Sequence, residues 1–299
     1  ALTAAPYQQV EKFLVVGGID ADLTDPADFE RDERPQKFFD FLGVGDNVVV
    51  NKENQFFMRP DFAHITTLAE SPVDEKRLYA GSGDGLLRYT LDGGGSWQVA
   101  QLPGLPQFAR IHQVMASPVN AEVAYAACNN FFAGDFAPYL YKTTDGGAHW
   151  TSINANLPAR GSTWTIGVDD VDADLLFVGT MSGVFVSNTP KIDWVQLTSG
   201  LPKTSEVMDL TIQRDEHDLV VSTYGRGVFI LDDYTPLRDL TPKSLAEPAT
   251  LFPLADALMF VQADPMGFPG VGFQGASYFS APNPEVGATI TYYVKDDYK

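Results

Sequence analysis

The feature that most constrains this chain is an octapeptide that recurs along it. Thr143-Thr144-Asp145-Gly146-Gly147-Ala148-His149-Trp150 matches Thr90-Leu91-Asp92-Gly93-Gly94-Gly95-Ser96-Trp97 at its Thr, Asp, Gly and Trp positions, and a decayed copy runs from Ser187 to Trp194. An Asp opening a tight turn accepts hydrogen bonds from the N–H groups just beyond it. Gly supplies the positive φ that a hairpin needs, and Trp folds a large apolar face over the turn. Thr90, Asp92, Gly94, Trp97, Thr143, Asp145, Gly147, Trp150, Ser187 and Trp194 are therefore read as structural. In the third copy Thr189 has replaced the Asp and Lys191 the central Gly.

The flanking segments repeat as well. Ile65 to Ala69, Leu78 to Gly81, Leu86 to Tyr89 and Trp97 to Val99 read as four short strands, and the turn Ser71-Pro72-Val73-Asp74 returns as Ser117-Pro118-Val119-Asn120 in the next unit. Third and fourth units begin near Trp164 and Val207. Repeats of roughly 43 to 52 residues with about four strands each predict an all-β chain of propeller blades, and exclude an immunoglobulin sandwich and a helical solenoid. The expected layout is an N-terminal segment over 1–60, one candidate for a degenerate blade, four blades over 61–240, and a linker over 241–299 with the first strand of a truncated C-terminal β-domain. Four blades are few for a ring, so residues 1–60, further residues or another chain are expected to complete it.

The pattern Ser/Thr-x-Asp-x-Gly-x-x-Trp resembles the Asp-box, or bacterial neuraminidase repeat, of sialidases, xyloglucanases and sortilin-type receptors. That resemblance implies that the octapeptides close the hairpins between third and fourth strands, on the face away from the ligand. Ser222 to Asp233, followed by Thr235-Pro236-Leu237, is similar to the final blade of large secreted bacterial proteins of the sortilin-like and glycosyl hydrolase-like group, as is Gly134 to Tyr139. In that group Leu-Phe-Pro, here Leu251-Phe252-Pro253, leads out of the propeller, and an Asn-Pro-x-x-Gly-Ala signature, here Asn283 to Ala288, opens a small β-sandwich. Since the sequence ends at Lys299, one strand later, the chain is expected to be part of a longer protein.

Composition narrows the function. A formal charge of −19 argues against nucleic acid or an anionic membrane as partner. Cys128 is the only cysteine, so the fold holds by packing without an intrachain disulfide. No apolar run is long enough for a membrane span. The N-terminus carries no secretory leader pattern, which leaves either a cytoplasmic protein or one whose signal has been removed; the resemblance implies the second, a secreted, periplasmic or cell-surface protein. His64, His112, His149 and His217 lack metal-ligand spacing. Asp20, Asp22 and Thr24 imitate the start of a calcium loop, but Asp25 and Arg31 stand where Gly and Glu are required, which favours a solvated loop. Neither a metal nor a cofactor is expected.

Propeller geometry then selects the face opposite the octapeptides, which carries Asp84, Phe131, Phe132, Asp135, Trp164, Tyr224 and Arg226, with Arg110 and Arg160 beside them. Phe131 and Phe132 sit in the longest insertion, where they either stack on a ligand or plug the ring; Trp164 either packs in the core or stacks on a ligand. Glycoside hydrolysis needs two carboxylates facing across a cleft, about 5 to 9.5 Å apart. Asp84 and Asp135 are the catalytic candidates, with Asp169 a third. The expected function is a binding or scaffold module for carbohydrate or protein, within a longer chain or larger complex. The alternatives are a glycoside hydrolase of xyloglucanase or sialidase type and a structural subunit of a cell-surface complex.

Overall fold

The computed structural model describes residues 64–201, 204–254, 257 and 287–295. The segments 13–16 and 47–50, the loop with Asp20, Asp22 and Thr24, and the Asn283-Pro284 pair lie outside them. The chain divides into two units, 1–232 and 233–299.

In the first unit consecutive strands pair antiparallel with their sequence neighbours. Blade 1 comprises β1 (Ile65–Glu70), β2 (Leu78–Ser82), β3 (Leu87–Thr90) and β4 (Gln98–Ala100); blade 2 comprises β5 (Arg110–Ala116), β6 (Ala124–Asn130), β7 (Asp135–Thr143) and β8 (Thr151–Ser152). Blade 3 comprises β9 (Thr163–Val168), β10 (Leu176–Thr180), β11 (Gly183–Ser187) and β12 (Val195–Leu197). Among the described residues blade 4 comprises β13 (Val207–Gln213), β14 (Asp218–Thr223) and β15 (Gly227–Leu231). After Leu231 the chain turns through Asp232-Asp233, with no octapeptide to return it. The architecture is an all-β propeller, and its core lies between blades. Tyr79, Leu87, Ile111, Val114, Tyr141 and Trp150 pack between blades 1 and 2, and Tyr125, Leu140, Ile166, Leu176, Phe185 and Trp194 between blades 2 and 3.

One device joins successive blades. Each innermost strand carries a one-residue irregularity, skipping Thr66, His112, Trp164 and Met208 in turn. Such a bulge re-aims the side chains around it. The residue that follows is Thr67, Gln113 or Thr165, and its side chain accepts the N–H of the next blade's innermost strand. Val114 N donates to Thr67 Oγ1 at 3.0 Å, Ile166 N to Gln113 Oε1 at 2.7 Å, and Leu210 N to Thr165 Oγ1 at 3.3 Å. Opposite these positions the second strands place Gly81, Ala127, Gly179 and Ser222, small residues that let the next blade approach.

The octapeptides behave as their composition predicts. Thr143 Oγ1 donates to Asp145 Oδ1 (2.8 Å) and accepts from Gly147 N (3.1 Å), while His149 N donates to Asp145 Oδ1 (2.9 Å). Thr90, Asp92, Gly94 and Ser96 repeat the set. Gly93 N and Gly146 N each donate to the first hairpin of their own blade, at Lys76 O and Glu122 O, both 2.8 Å. In the decayed copy Ser187 Oγ still accepts from Asp193 N (3.2 Å), and Thr189 Oγ1 donates to Lys191 O (2.6 Å) in place of the lost Asp bonds.

Asp92 and Asp145 are both held down to about 2 from an ordinary 3.8, Asp92 first by the Ser96 hydroxyl and Asp145 first by the His149 N–H. A carboxyl with a depressed folded pKa adds stability that is complete above its ordinary value and is lost as pH falls through the folded one. The thermal midpoint should therefore drop between about pH 4 and pH 2, and Asp145→Asn should flatten that drop in calorimetry. An unchanged pH slope in the variant would refute this role for Asp145.

In the second unit a 3-10 turn, Thr235–Asp239, leads to a five-residue helix α1 (Pro242–Ala246) capped by Thr241, whose Oγ1 accepts from Ser244 N. Strands β16 (Ala249–Leu251) and β17 (Tyr292–Val294) pair antiparallel. Among the described residues no helix is long and apolar enough to cross a membrane.

Candidate functional site

The start of each innermost strand pairs with the end of the second strand: Ile65 with Ser82, Arg110 with Asn129, Thr163 with Thr180 and Val207 with Thr223. Strand alternation therefore puts the second hairpins and the innermost-strand starts at one end, and the octapeptides at the other. Asp84, Phe131, Phe132, Asp135, Trp164, Tyr224 and Arg226 all fall at the first end, as do Arg110 and Arg160. Asp169 does not. It follows β9 on the octapeptide side, where its Oδ1 accepts from Val171 N at 3.0 Å, the task that Ser71 and Ser117 perform in blades 1 and 2. The expectation that Asp169 could join a carboxylate pair is thereby corrected.

The two remaining carboxylates serve their own hairpins. Asp84 is buried and its Oδ1 accepts from Ser82 Oγ; burial lowers the Arg88 pKa, and the nearby Asp84 carboxylate only partly offsets this. Asp135 accepts from Tyr139 Oη (2.6 Å), Asn130 Nδ2 (3.2 Å) and Ala137 N (3.1 Å). These bonds, the tyrosine's first, lower its pKa, the opposite of what a general acid needs. Arg160 lays its guanidinium over the Phe136 ring, 5.1 Å from the centroid, and Tyr224 and Arg226 stand exposed on the β14–β15 turn.

The distinctive arrangement on this end is an aromatic tier. Phe132, exposed, contacts Phe131 with ring centroids 3.9 Å apart; Phe131 meets Trp164 at 5.1 Å, and Trp164 meets the His112 imidazole edge-on at 4.8 Å. His112 and Trp164 are the bulged residues of adjacent innermost strands, which is why their rings meet. Around them lie buried polar atoms without a hydrogen-bond partner among the described residues: Trp164 Nε1, His112 Nδ1, Arg110 Nε, Asn129 Oδ1, Ser162 Oγ and Ser205 Oγ. Buried polar groups are rarely left unpaired, and ordered water satisfies such atoms as readily as a ligand does. Burial, and then the Arg110 charge, lowers the His112 pKa to about 4, so its imidazole is neutral near pH 7. Burial raises the Glu206 carboxyl above its ordinary value, and the Trp164 indole beside it works the other way without reaching a full hydrogen bond.

His112, Ser162, Ser205 and Glu206 were not singled out as members of this face. The signal was present for one of them: aligning the units on Ser117 and Asp169 puts His112 in register with Trp164. Among the described residues no group of three or more His, Cys, Asp or Glu side chains is placed to hold a metal ion.

Fold and face together define a β-propeller of antiparallel blades with an aromatic, polar-lined loop end. No family model and no curated protein matches the sequence. Among solved structures the chain is similar to a GH74 enzyme of Niastella koreensis (14% identity, TM-score 0.47, over 57% of this chain and 29% of that one). It is also similar to YCF48 bound to a D1 peptide (18%, 0.43, 58% and 53%) and to the β-propeller domain of Cps50 (Swd1) from Myceliophteria thermophila (18%, 0.44, 60% and 55%). The chain spans less than two thirds of each. At these identities the likeness concerns the fold alone.

Proposed function

We propose that the chain is a secreted or cell-surface binding module of the Asp-box, sortilin-like group, and that it takes a carbohydrate or protein ligand on its loop end. The observation that carries this reading is the tier running from exposed Phe132 to buried Trp164, with unpaired donors and acceptors around it. Aromatic faces stack on sugar rings or grip apolar side chains, and a few polar groups fix orientation. The octapeptide hydrogen bonds support the group assignment. The carboxylates do not favour hydrolysis, because Asp84 is buried in its turn and Asp135 is bonded to its own hairpin.

The test is binding of the purified chain to a glycan array and a peptide array, repeated with Phe132→Ala. A ligand held on this tier should lose about 10-fold or more in affinity, the weight of one exposed aromatic anchor, while the thermal midpoint stays put. A ligand indifferent to Phe132→Ala would place binding elsewhere, and turnover of a glycan would replace the reading with an enzymatic one.

A further inference from the structure

The two ends of the blades differ in charge. At the octapeptide end Asp74, Glu122, Asp145, Asp172, Asp193 and Asp215 lie in first and third hairpins, and Arg77 there is paired with both Asp74 and Glu122. At the loop end the described carboxylates are Asp84, Asp135 and Glu206. The first two are engaged, Asp84 by Ser82 and Arg88, Asp135 by Tyr139, Asn130 and the Ala137 N–H. Arg110, Arg160 and Arg226 share this end, and none of them makes an ion pair among the described residues. On a chain of formal charge −19 they form a positive end, which favours an anionic partner.

Arg110 is the anchor of the set. Its Nε is buried without a hydrogen-bond partner among the described residues, and after burial its charge is what keeps His112 neutral. It stands two residues before the bulge at His112, the register position of Ser162 before Trp164 and of Glu206 before Met208. Strand register thus brings a cation, a hydroxyl and a carboxyl to the rim of the aromatic tier. Water satisfies a buried donor but does not neutralise a charge. Among the unpaired groups Arg110 Nε and Trp164 Nε1 only donate, the Ser162 and Ser205 hydroxyls do either, and Asn129 Oδ1 only accepts. A carboxylate supplies two acceptor oxygens and the missing negative charge, and it matches the guanidinium fork.

Arg160 and Arg226 are exposed, one between blades 2 and 3 and the other on blade 4. With packed sheets about 10 Å apart, blades 2 to 4 spread the cations over roughly 20 Å, the length of about six extended residues. On the reading that the loop end is the binding face, we infer that its ligand is an acidic peptide segment. One carboxylate sits on Arg110, others meet Arg160 and Arg226, and an apolar side chain lies on exposed Phe132. The span favours such a segment over a single acidic sugar, which reaches one arginine.

Selection of a random peptide library of about seven residues on the immobilised 299-residue chain should enrich Asp and Glu together with an apolar residue. A labelled peptide from that selection should lose about 10-fold or more in affinity when its carboxylates become amides, and a similar amount on Arg110→Gln. Arg160→Glu with Arg226→Glu, both at exposed positions, should leave the thermal midpoint in place, slow association and lower affinity several-fold, the more so at low salt. Selection without acidic enrichment, an amide peptide bound as well as the acid, charge reversal without effect, or preference for oligogalacturonate over the peptide would each overturn the inference. A peptide indifferent to amidation that still weakens on Phe132→Ala would overturn it alone and leave the binding face standing. Acid-dependent binding unaffected by Phe132→Ala would instead remove the aromatic tier and keep the arginines.

Discussion

Trp150→Ala should lower the unfolding free energy by about 3 to 5 kcal/mol, the usual cost of deleting a large buried aromatic side chain. The Trp150 ring is buried between blades 1 and 2, edge-on to Tyr79 with centroids 6.5 Å apart, and its Nε1 donates to Gly147 O at 2.9 Å. The substitution thus opens a cavity at a blade interface and unties the turn that closes its own blade. Trp97, the same motif residue in blade 1, is only half-buried, and Trp97→Ala should cost markedly less. Urea unfolding of both variants measures the difference. Equal losses would mean that the tryptophans act through their own turns alone and that packing on the preceding blade contributes little.

Gly179→Ala is the second large effect, and it arises without backbone strain. A Cβ at Gly179 would lie 2.5 Å from Thr165 Cγ2, 2.7 Å from Val207 Cγ1 and 3.2 Å from Val207 O. Blade 4 must move away from blade 3, stretching the Leu210–Thr165 hydrogen bond; overpacking of this kind costs about 1 to 3 kcal/mol. Gly93→Ala provides the contrast. Its φ of +73° favours glycine, but nothing lies within 4 Å of the added atom, so its cost is conformational only. If crowding is the cause, Val207→Ala should recover part of the loss in the Gly179→Ala background, a coupling absent between Val207→Ala and Gly93→Ala. Purely additive losses would refute the interblade account.

The two substitutions mark different degrees of legibility. Trp150 could be read as structural because its role is local: the turn it covers is seven residues long behind it, and Asp145, Gly147 and Thr143 announce that turn by their chemistry. Gly179 carries no local signal, since its neighbour across the interface, Val207, is far along the chain and nothing in a strand pattern reports spacing between blades. The functional end divides the same way. Alternation of strands was enough to send Asp84, Phe131, Trp164 and Arg226 to the end away from the octapeptides. Asp169 was misplaced because an Asp in a turn reads as a free carboxylate until the hydrogen bonds to Val171 and Asp172 are seen.

His112 and Glu206 illustrate what folding alone supplies. Neither belongs to a motif, and each acquires its character from burial beside Trp164: the imidazole is kept neutral, and the carboxyl's pKa is raised.

By itself, then, the sequence determined the kind of unit and the turn that closes it, because Asp, Gly and Trp at fixed spacing impose a conformation through bonds a few residues long. Only the tertiary structure decided which members of the loop end share a surface. The bulges at His112 and Trp164 bring into contact two rings that strand order merely placed at the same end, and burial beside them shifts the His112 and Glu206 pKa values.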